Sequence, residues 1–147
     1  MRRPGILPCI CVVFLSLVSV ASARVTTGWA HGRKKKIDLV YVSGVELEKQ
    51  TAKAFREMAR AARKQGLELA IRSGFRSHDK QKELYARFRR GWGHLAAKPG
   101  YSNHQNGKAV DVYIDDYRVY EWLKKNANKF GFKRTVKREA WHWEYVR

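Results

Sequence analysis

Cysteine is almost absent from this chain of 147 residues, which contains only Cys9 and Cys11, both near the N-terminus. The remainder of the sequence therefore excludes a disulfide framework and any metal site built on thiolates. Reinforcement of the fold must come from a packed core or from a metal held by nitrogen and oxygen ligands.

Long apolar runs are scarce as well, and the clearest one, Ile10–Val20, is shorter than the roughly 20 residues of a membrane-spanning helix. It follows Arg2 and Arg3 and precedes Ala21-Ser22-Ala23, which is the order of a secretory signal peptide with a small-residue cleavage site. We therefore predict a signal peptide over residues 1–23 and an exported protein, periplasmic or secreted. An uncleaved anchor is the alternative. Residues 24–147 suffice for one domain with a single core.

Acidic residues are also few, with 13 Asp and Glu against 31 Lys and Arg, and the formal net charge is +18 at pH 7. Such an excess usually indicates a polyanionic partner. For an exported protein we expect anionic cell-wall polymers or lipid headgroups; a basic surface that serves only solubility is the alternative. Export and the lack of a binding motif argue against nucleic acid. Self-repulsion favours a monomer.

Hydrophobic periodicity predicts a domain over residues 37–147, preceded by a basic flexible arm over residues 24–36. Apolar residues recur at every second position of Ile37–Val42, which indicates a strand. Ser43-Gly44-Val45-Glu46 has the form of a capping box, and we expect a helix from there to a stop at Gly66. Its buried face is predicted to contain Leu47, Thr51, Ala54, Phe55, Met58 and Ala62.

The rest of the chain mixes helices and strands without a regular strand–helix–strand rhythm, so the predicted class is α+β. The predicted elements are a strand at Leu67–Ile71, a loop at Ser73–Ser77, a helix at Asp79–Arg90, an irregular segment at Trp92–Tyr101, a helix capped by Asp115 or Asp116 and ending at Gly131, and a strand at Trp141–Val146.

His104 and Asp111 are candidate ligands seven residues apart. On one straight strand they would lie on opposite faces and over ~20 Å apart, so the chain must turn between them. Asn106-Gly107 is the strongest short turn signal. A two-residue turn there would set His104 opposite Ala109, with Asp111 on the same face. A wider loop before a strand would serve equally.

The last predicted strand carries a third candidate ligand, His142. Trp141, Trp143 and Tyr145 alternate with His142 and Glu144, which predicts an apolar face in the core and a polar face towards a cleft. Glu139 and Glu144 are both candidate proton acceptors, and the pattern favours neither. Two imidazoles, one carboxylate ligand and a further carboxylate are what a catalytic zinc site needs beside an open water position.

Three motifs strengthen this interpretation because together, and in this order, they resemble the signatures of a known family. They are Ser73-Gly74-Phe75-Arg76-Ser77 with Gln81, then Ser102-x-His104-x-x-Gly107-x-Ala109-x-Asp111, and Glu139-x-Trp141-His142. The chain resembles the D-alanyl-D-alanine carboxypeptidase/dipeptidase metallopeptidases. These include vancomycin-resistance-type carboxypeptidases and related peptidoglycan endopeptidases, and they share a fold with the hedgehog signalling domain. The resemblance covers about residues 46–146.

The resemblance implies a small antiparallel sheet flanked by helices, and it implies a role for each motif residue. Zinc would be held by His104, Asp111 and His142, with Glu139 rather than Glu144 as the general base. The residues that would bind the substrate are Arg76, Gln81, Ser102 and Trp141, and Arg76 would also bind the oxyanion. One departure is Ala140, where the carboxypeptidase branch commonly has proline. A second is the short segment between Phe132 and Glu139, which could open the cleft and leaves the cleaved bond undecided.

The expected function is hydrolysis of peptidoglycan stem peptides by an exported zinc peptidase, most simply a D-alanyl-D-alanine-type carboxypeptidase. The alternatives are an L-alanyl-D-glutamate-type endopeptidase and a non-catalytic zinc-stabilised module that binds the wall. His31, His78 and His94 have no assigned role, and we expect them at the surface or near the rim of the cleft.

Overall fold

The computed structural model describes residues 23–147, so the predicted signal peptide lies almost entirely outside the described residues. Within residues 23–147, none of the helices has the length and apolar character needed to cross a membrane. The described part of the chain is an α+β structure with two small antiparallel sheets and three α-helices, which confirms the predicted class.

The first sheet contains three strands in the order β1-β2-β3, and the second contains four in the order β4-β5-β7-β6. The strands are β1 Arg24–Ala30, β2 Arg33–Val42, β3 Val45–Glu48, β4 Ile71–Ser73, β5 Ala109–Val112, β6 Phe132–Lys133 and β7 His142–Tyr145. The helices are α1 Lys49–Arg63, α2 His78–Arg89 and α3 Tyr117–Asn126, with short 3-10 helices at Asn103–Asn106 and Ala127–Phe130.

The predicted flexible arm at residues 24–36 is wrong, because this segment forms most of a β-hairpin. Strands β1 and β2 pair without interruption from Arg24↔Leu39 to Ala30↔Arg33. His31 and Gly32 make the turn with positive φ angles of 50° and 77°. The basic run Arg33–Lys36 is exposed and has no apolar alternation, so only its backbone hydrogen bonds reveal it as a strand.

The long first helix is confirmed, but its capping box is not. Ser43 and Gly44 instead form a two-residue turn with φ angles of 48° and 89°, and the chain then continues as β3. Helix α1 begins after Glu48, whose carboxylate accepts hydrogen bonds from the amides of Gln50 and Thr51. Most of the predicted apolar face is buried in α1 as expected, whereas Leu47 is buried from β3.

The second predicted strand is displaced along the chain. Strand β4 starts at Ile71, where the segment meets β5, and Leu67–Ala70 has no strand pairing although Leu69 is buried. The other predicted elements begin within one or two residues of the prediction: α2 begins at His78 and α3 is capped by Asp116. Helix α3 ends earlier than predicted, at Asn126, and a separate 3-10 helix continues to the predicted stop at Gly131. The alternating pattern therefore predicted which side chains are buried. Which residues pair as a strand depends on where the partner strand lies.

The main core lies between helices α1 and α3 and both sheets. The first sheet contributes Val40, Val42 and Leu47, and the other strand residues of the core come from the second sheet. Phe55 and Met58 of α1, Leu123 of α3, and Val110 and Phe132 of the second sheet are all fully buried there. Phe55 and Phe132 meet edge to face, with ring centroids 6.3 Å apart. Burial of one such aromatic side chain contributes several kcal/mol, on the order of the ~3–5 kcal/mol lost when it is truncated. This core anchors β5 and β7, which carry two of the candidate ligands.

Docking of the hairpin onto the rest of the domain generates a first prediction, which concerns Gly28→Ala. An added Cβ would lie 2.7 Å from the Ile37 side chain and 2.8 Å from the Gln105 carbonyl oxygen. We expect the free energy of unfolding to fall by about 1–3 kcal/mol, because overpacking forces the backbone to shift. Urea unfolding followed by circular dichroism measures this loss. Thr27→Ala, on the exposed neighbour, is the control, and an equal loss in both variants would contradict close docking.

Candidate active site

Three side chains from three elements converge at one end of β5 and β7. His104 comes from the 3-10 helix before β5, Asp111 lies on β5, and His142 begins β7. The register places Asp111 directly opposite His142, so these two side chains leave the sheet on the same face. The Nε2 atom of His104 lies 3.4 Å from Asp111 Oδ1, and the Nδ1 atom of His142 lies 3.0 Å from the same oxygen.

The chain does not make the two-residue turn proposed at Asn106-Gly107. The wider alternative is present instead: residues 103–106 form a single 3-10 turn, which ends at Gly107 with a left-handed φ of 72°. A side chain there would also collide with the backbone of Glu48, since a Cβ on Gly107 would lie 2.6 Å from the Glu48 nitrogen. His104 therefore reaches the site from a loop rather than from the opposite strand of a hairpin.

Hydrogen bonds fix the orientation of the His104 ring. Its Nδ1 donates to the carbonyl oxygen of Gly74 at 2.7 Å, which directs Nε2 at Asp111. The Ser102 hydroxyl accepts a bond from the backbone amide of His104 at 3.4 Å, and the His104 carbonyl accepts one from the Arg76 amide at 3.0 Å. A carbonyl partner on the remote nitrogen is the usual support of a metal-binding histidine.

His142 lies between two carboxylates. Its Nδ1 faces Asp111, and its Nε2 donates to Glu144 Oε1 at 3.0 Å.

Trp143 is buried in the core, as alternation predicted. Trp141 differs from the prediction, because β7 begins only at His142 and the Trp141 ring lines the cleft instead of joining Trp143. The cleft position agrees with the role that the family resemblance implied for Trp141.

The three side chains fit a tetrahedral zinc ion. Zinc bonds of about 2.1 Å separate neighbouring donor atoms by about 3.4 Å. The two separations that involve Asp111 are 3.4 and 3.0 Å, and donor atoms from all three residues lie within 4.8 Å of one another. All three residues are buried, and all three also line the cleft. Three protein ligands with access from a cleft are the pattern of a catalytic site rather than of a closed structural one.

The charges around Asp111 favour a cation. Burial by itself raises the pKa of Asp111, but hydrogen bonds from His104 and His142 outweigh burial and hold that pKa well below its usual range. For His142, burial lowers the pKa, whereas bonds to Asp111 and Glu144 raise it to about 9. The site thus keeps an ionised carboxylate in a buried position by placing a proton on His142. A metal at Nδ1 would displace that proton.

Glu139 and Glu144 occupy different sides of His142. Glu139 lines the cleft, and its Oε2 lies 4.0 Å from His142 Nδ1, the nitrogen that faces Asp111. Glu144 bonds to Nε2, on the side away from Asp111. Burial raises the pKa of Glu144, but hydrogen bonds, the largest contribution coming from His142, lower it by more. The net shift of the pKa is downward, so this carboxylate is an ionised partner of the ring.

Arg76 lines the same cleft and is held by its neighbours. Its guanidinium donates to Gln81 Oε1 at 3.0 Å and lies 3.5 Å from the Ser73 hydroxyl. Burial lowers the pKa of Arg76, opposed by the charges of Asp111 and Glu139, and an arginine nonetheless remains protonated. Gln81 itself is fully buried, and its amide donates to the Ala97 carbonyl at 2.7 Å. The direct pocket contact expected of Gln81 is therefore replaced by support of Arg76.

The cleft extends well beyond these residues, with a volume of about 1030 Å³. Ser102 lines it as expected. Sequence reasoning missed much of its wall, namely Arg72, Arg87, Trp92, Leu95, Tyr101, Asn103 and Val136. The Arg72 guanidinium lies 5.2 Å from the centre of the Trp141 ring. Large apolar residues in the irregular segment after α2 were the available signal, and the structure leaves two of them, Trp92 and Leu95, exposed outside the core.

The three unassigned histidines are at three different places. His94 lines the cleft, His31 is exposed at the turn of the β1–β2 hairpin, and His78 begins α2. None of them belongs to the cluster of His104, Asp111 and His142, which is the metal-ligand cluster found among residues 23–147.

Comparison with known proteins agrees with this geometry. A family model for VanY, the D-alanyl-D-alanine carboxypeptidases, matches residues 44–147. The chain belongs to this family. It is 30% identical over 133 residues to the D-alanyl-D-alanine carboxypeptidase of Enterococcus faecalis (strain ATCC 700802 / V583), an alignment that covers 71% of this chain and 50% of the relative. The chain spans about half the length of the curated relatives it matches.

Solved structures of the family superpose on most of the described domain. VanYB in complex with D-alanine-D-alanine has a TM-score of 0.64 and 29% identity, over 76% of this chain and 78% of that one. The LdcB LD-carboxypeptidase has a TM-score of 0.61 and 32% identity, over 69% of this chain and 59% of that one. The predicted fold family is thereby confirmed.

The ligand assignment generates a second prediction, for His104→Ala and His142→Ala. We expect the wild-type protein to keep stoichiometric zinc through dialysis and each variant to lose it, because each variant removes one of three donors. Elemental analysis by mass spectrometry measures the bound metal. His94→Ala is the matched control, because it removes a cleft histidine outside the cluster and is expected to keep the zinc. Stoichiometric zinc in either ligand variant would show that the assignment is wrong.

Proposed function

We propose that this protein is an exported zinc-dependent peptidase that hydrolyses peptidoglycan stem peptides, most simply as a D-alanyl-D-alanine-type carboxypeptidase. The observation that carries the proposal is the convergence of His104, Asp111 and His142 in a cleft that also presents Glu139 and Arg76. Zinc is supported by the spacing of these donors and by a VanY structure from the VanB-type cassette in complex with Zn(II).

Zinc bound here would supply a Lewis acid that lowers the pKa of a bound water from 15.7 to about 7. Glu139 is the residue placed to accept the water's proton, because its carboxylate lies in the cleft on the Asp111 side of His142. The same carboxyl group would then pass the proton to the leaving amine. General-base assistance of this kind contributes typically about 10² to 10⁴ in rate.

Glu144 fits a different role, that of a positioning residue. Its carboxylate accepts a hydrogen bond from His142 Nε2 and so fixes the ring with Nδ1 towards Asp111. Carboxylate support behind a ligating histidine orients the ring and increases its basicity as a ligand. The spacing in the sequence could not decide which of the two carboxylates is the base. In the structure they differ in the nitrogen of the His142 ring that each one faces.

Arg76 is the group that would bind negative charge on the substrate. Its side chain is half-buried and its guanidinium is hydrogen-bonded to Gln81, so it loses little conformational freedom when it binds. A fixed donor in a partly desolvated site acts on an oxyanion as it develops, and loss of such a donor usually costs about 10² to 10³ in rate.

Peptidoglycan peptides are the substrate class that the similar proteins suggest. VanYB was solved in complex with D-alanine-D-alanine, and the LdcB structure is described as revealing the basis of peptidoglycan recognition. The 32% identity to LdcB also supports an L,D-carboxypeptidase as a second candidate. An L-alanyl-D-glutamate endopeptidase is compatible with the long cleft. A non-catalytic zinc module is disfavoured, because a structural site has no use for Glu139.

Export and a polyanionic partner are part of the same proposal. Strand β1 begins at Arg24, so cleavage after Ala23 would leave the whole hairpin in the mature protein. The exposed residues Arg33–Lys36 add to the basic surface, which supports retention by anionic cell-wall polymers. A monomer is expected from the self-repulsion of this charge.

The assignment of the base generates a third prediction, which compares Glu139→Gln with Glu144→Gln. Glu139→Gln should keep zinc and lower kcat by about 10² to 10⁴, since an amide cannot accept the proton. Glu144→Gln should lose at most about tenfold, because its amide oxygen can still accept the His142 bond. Release of D-alanine measures both rates. A larger loss in Glu144→Gln than in Glu139→Gln would reverse the two roles.

The bond that is cut generates a fourth prediction. Purified muropeptides treated with the zinc-loaded protein should lose one terminal alanine, seen as a single mass decrease by mass spectrometry. Tetrapeptide and pentapeptide stems, supplied separately, distinguish an L,D- from a D,D-carboxypeptidase. Splitting within the stem would instead identify an endopeptidase, and no change of mass with zinc bound would favour the non-catalytic module.

A further inference from the structure

The β1–β2 hairpin lies outside residues 44–147, which the family model matches, yet it contacts the segment that carries His104. At the hairpin turn, the amide of Gly32 donates to the carbonyl oxygen of Gly100 at 3.0 Å. Gly100 begins the stretch that lines the cleft with Tyr101 and Ser102 and then reaches His104. The hairpin is thus joined to the loop that supplies one candidate ligand.

A stacked pair of rings joins the hairpin to helix α2. The Trp29 ring lies on the His78 imidazole with centroids 3.9 Å apart and planes inclined by only 14°. Trp29 belongs to β1, and His78 is the first residue of α2. Neither ring belongs to the main hydrophobic core. The stack therefore packs a separate contact, on the side of the molecule where the hairpin meets the loop.

His78 also contacts Gln105, the residue next to His104. The Gln105 amide nitrogen lies 3.0 Å from His78 Nδ1, so the amide donates and the imidazole accepts. The Gln105 side-chain oxygen accepts a bond from the Gly100 amide at 2.6 Å. Gln105 is fully buried, and both polar atoms of its side chain are used in these two bonds. Its side chain consequently ties the two ends of the Gly100–Gln105 segment together.

The hairpin backbone also approaches this segment directly. Gly28 faces the Gln105 carbonyl so closely that a Cβ would lie 2.8 Å from the oxygen. The opposite side of the 3-10 turn that carries His104 is held by two hydrogen bonds, one from the His104 ring to the Gly74 carbonyl and one from the Arg76 amide to the His104 carbonyl. His104 is therefore held between two supports, of which the hairpin provides one.

We propose that Trp29, His78 and Gln105 are positioning residues, through which the N-terminal hairpin sets the place of the metal ligand His104. The proposal rests on the proposed zinc site and adds residues 24–42 to the functional unit. It assigns no catalytic role to the three residues, because none of them reaches the reacting atoms. Their effect is expected on metal affinity and on kcat more than on KM, since none of the three forms a hydrogen bond with Arg76 or Trp141, the proposed substrate contacts.

The test compares the zinc affinity of four variants, measured by competition with a chromophoric chelator. Trp29→Ala removes the stack, and His78→Phe keeps a ring on Trp29 but cannot accept the Gln105 bond. Both should bind zinc about tenfold more weakly, the lower end of the 10- to 100-fold losses typical of outer partners of a ligating histidine. Trp29→Phe restores a stacked ring and should bind within about threefold of the wild type.

Arg24→Gln is the matched control for loss of hairpin stability alone. Arg24 forms a two-bond ion pair with Glu46 at 2.7 and 2.8 Å, at the end of β1 that is remote from the turn. This variant should lower the Tm without changing zinc affinity. If Trp29→Ala and His78→Phe both bind zinc as the wild type does, or if Arg24→Gln weakens zinc as much as they do, the proposal is overturned.

Hydrogen exchange separates this proposal from the proposed function. The amides of Gly100, Gln105 and Gly107 all donate to acceptors within residues 100–107, so they should exchange at least about tenfold faster in Trp29→Ala and His78→Phe than in Arg24→Gln. Exchange is measured without added metal and does not depend on catalysis. A wild-type protein that binds no zinc would contradict the proposed function. Amide exchange at these three residues that is the same in all variants would contradict the positioning role.

Discussion

The antiparallel pairing of β5 with β7 is the constraint on which both the core and the site depend. Asp111 stands opposite His142, and in the same ladder Val110 stands opposite Trp143 on the other face. A slip of one residue would turn His142 into the core and Trp143 into the cleft. Burial of Val110 and Trp143 therefore sets the register, and the register brings two candidate ligands together without any contribution from the metal.

The electrostatics of the site follow from this closeness. A buried carboxylate is costly unless it is paired and hydrogen-bonded, and Asp111 has an imidazole on each side. The arrangement that makes an ionised Asp111 tolerable also makes the centre of the cluster attractive to a cation. Arg76, also partly desolvated, contributes positive charge from the cleft side. A site for a cation on one side and for an anionic group on the other is the polarity that the proposed hydrolysis of a peptide with a free carboxylate requires.

Sequence reasoning succeeded where chemistry or side-chain burial was the signal. The apolar face of α1, the cap at Asp116 and the convergence of His104, Asp111 and His142 all left a pattern in the residue types. It failed where backbone pairing alone decided the structure. The basic strand from Arg33 has no apolar alternation, and the 3-10 turn that carries His104 cannot be told from a hairpin turn when Asn106-Gly107 fits both. Long-range contacts such as the Trp29–His78 stack leave no local signature at all.

The same limit explains why two identical side chains could not be assigned from spacing. Glu139 and Glu144 are equally plausible bases in the sequence, because both are a few residues from His142. In the structure, strand β7 carries Glu144 to the face of Asp111 but behind the ring, where Nε2 occupies it. Glu139 precedes the strand and lies on the Nδ1 side of the ring, and both carboxylates line the cleft. A carboxylate has enough lone pairs to accept the His142 bond and a proton as well, so the proposed roles rest on position: Glu139 faces Nδ1, on the Asp111 side, and Glu144 faces Nε2. The separation of the two roles is therefore a consequence of where β7 begins.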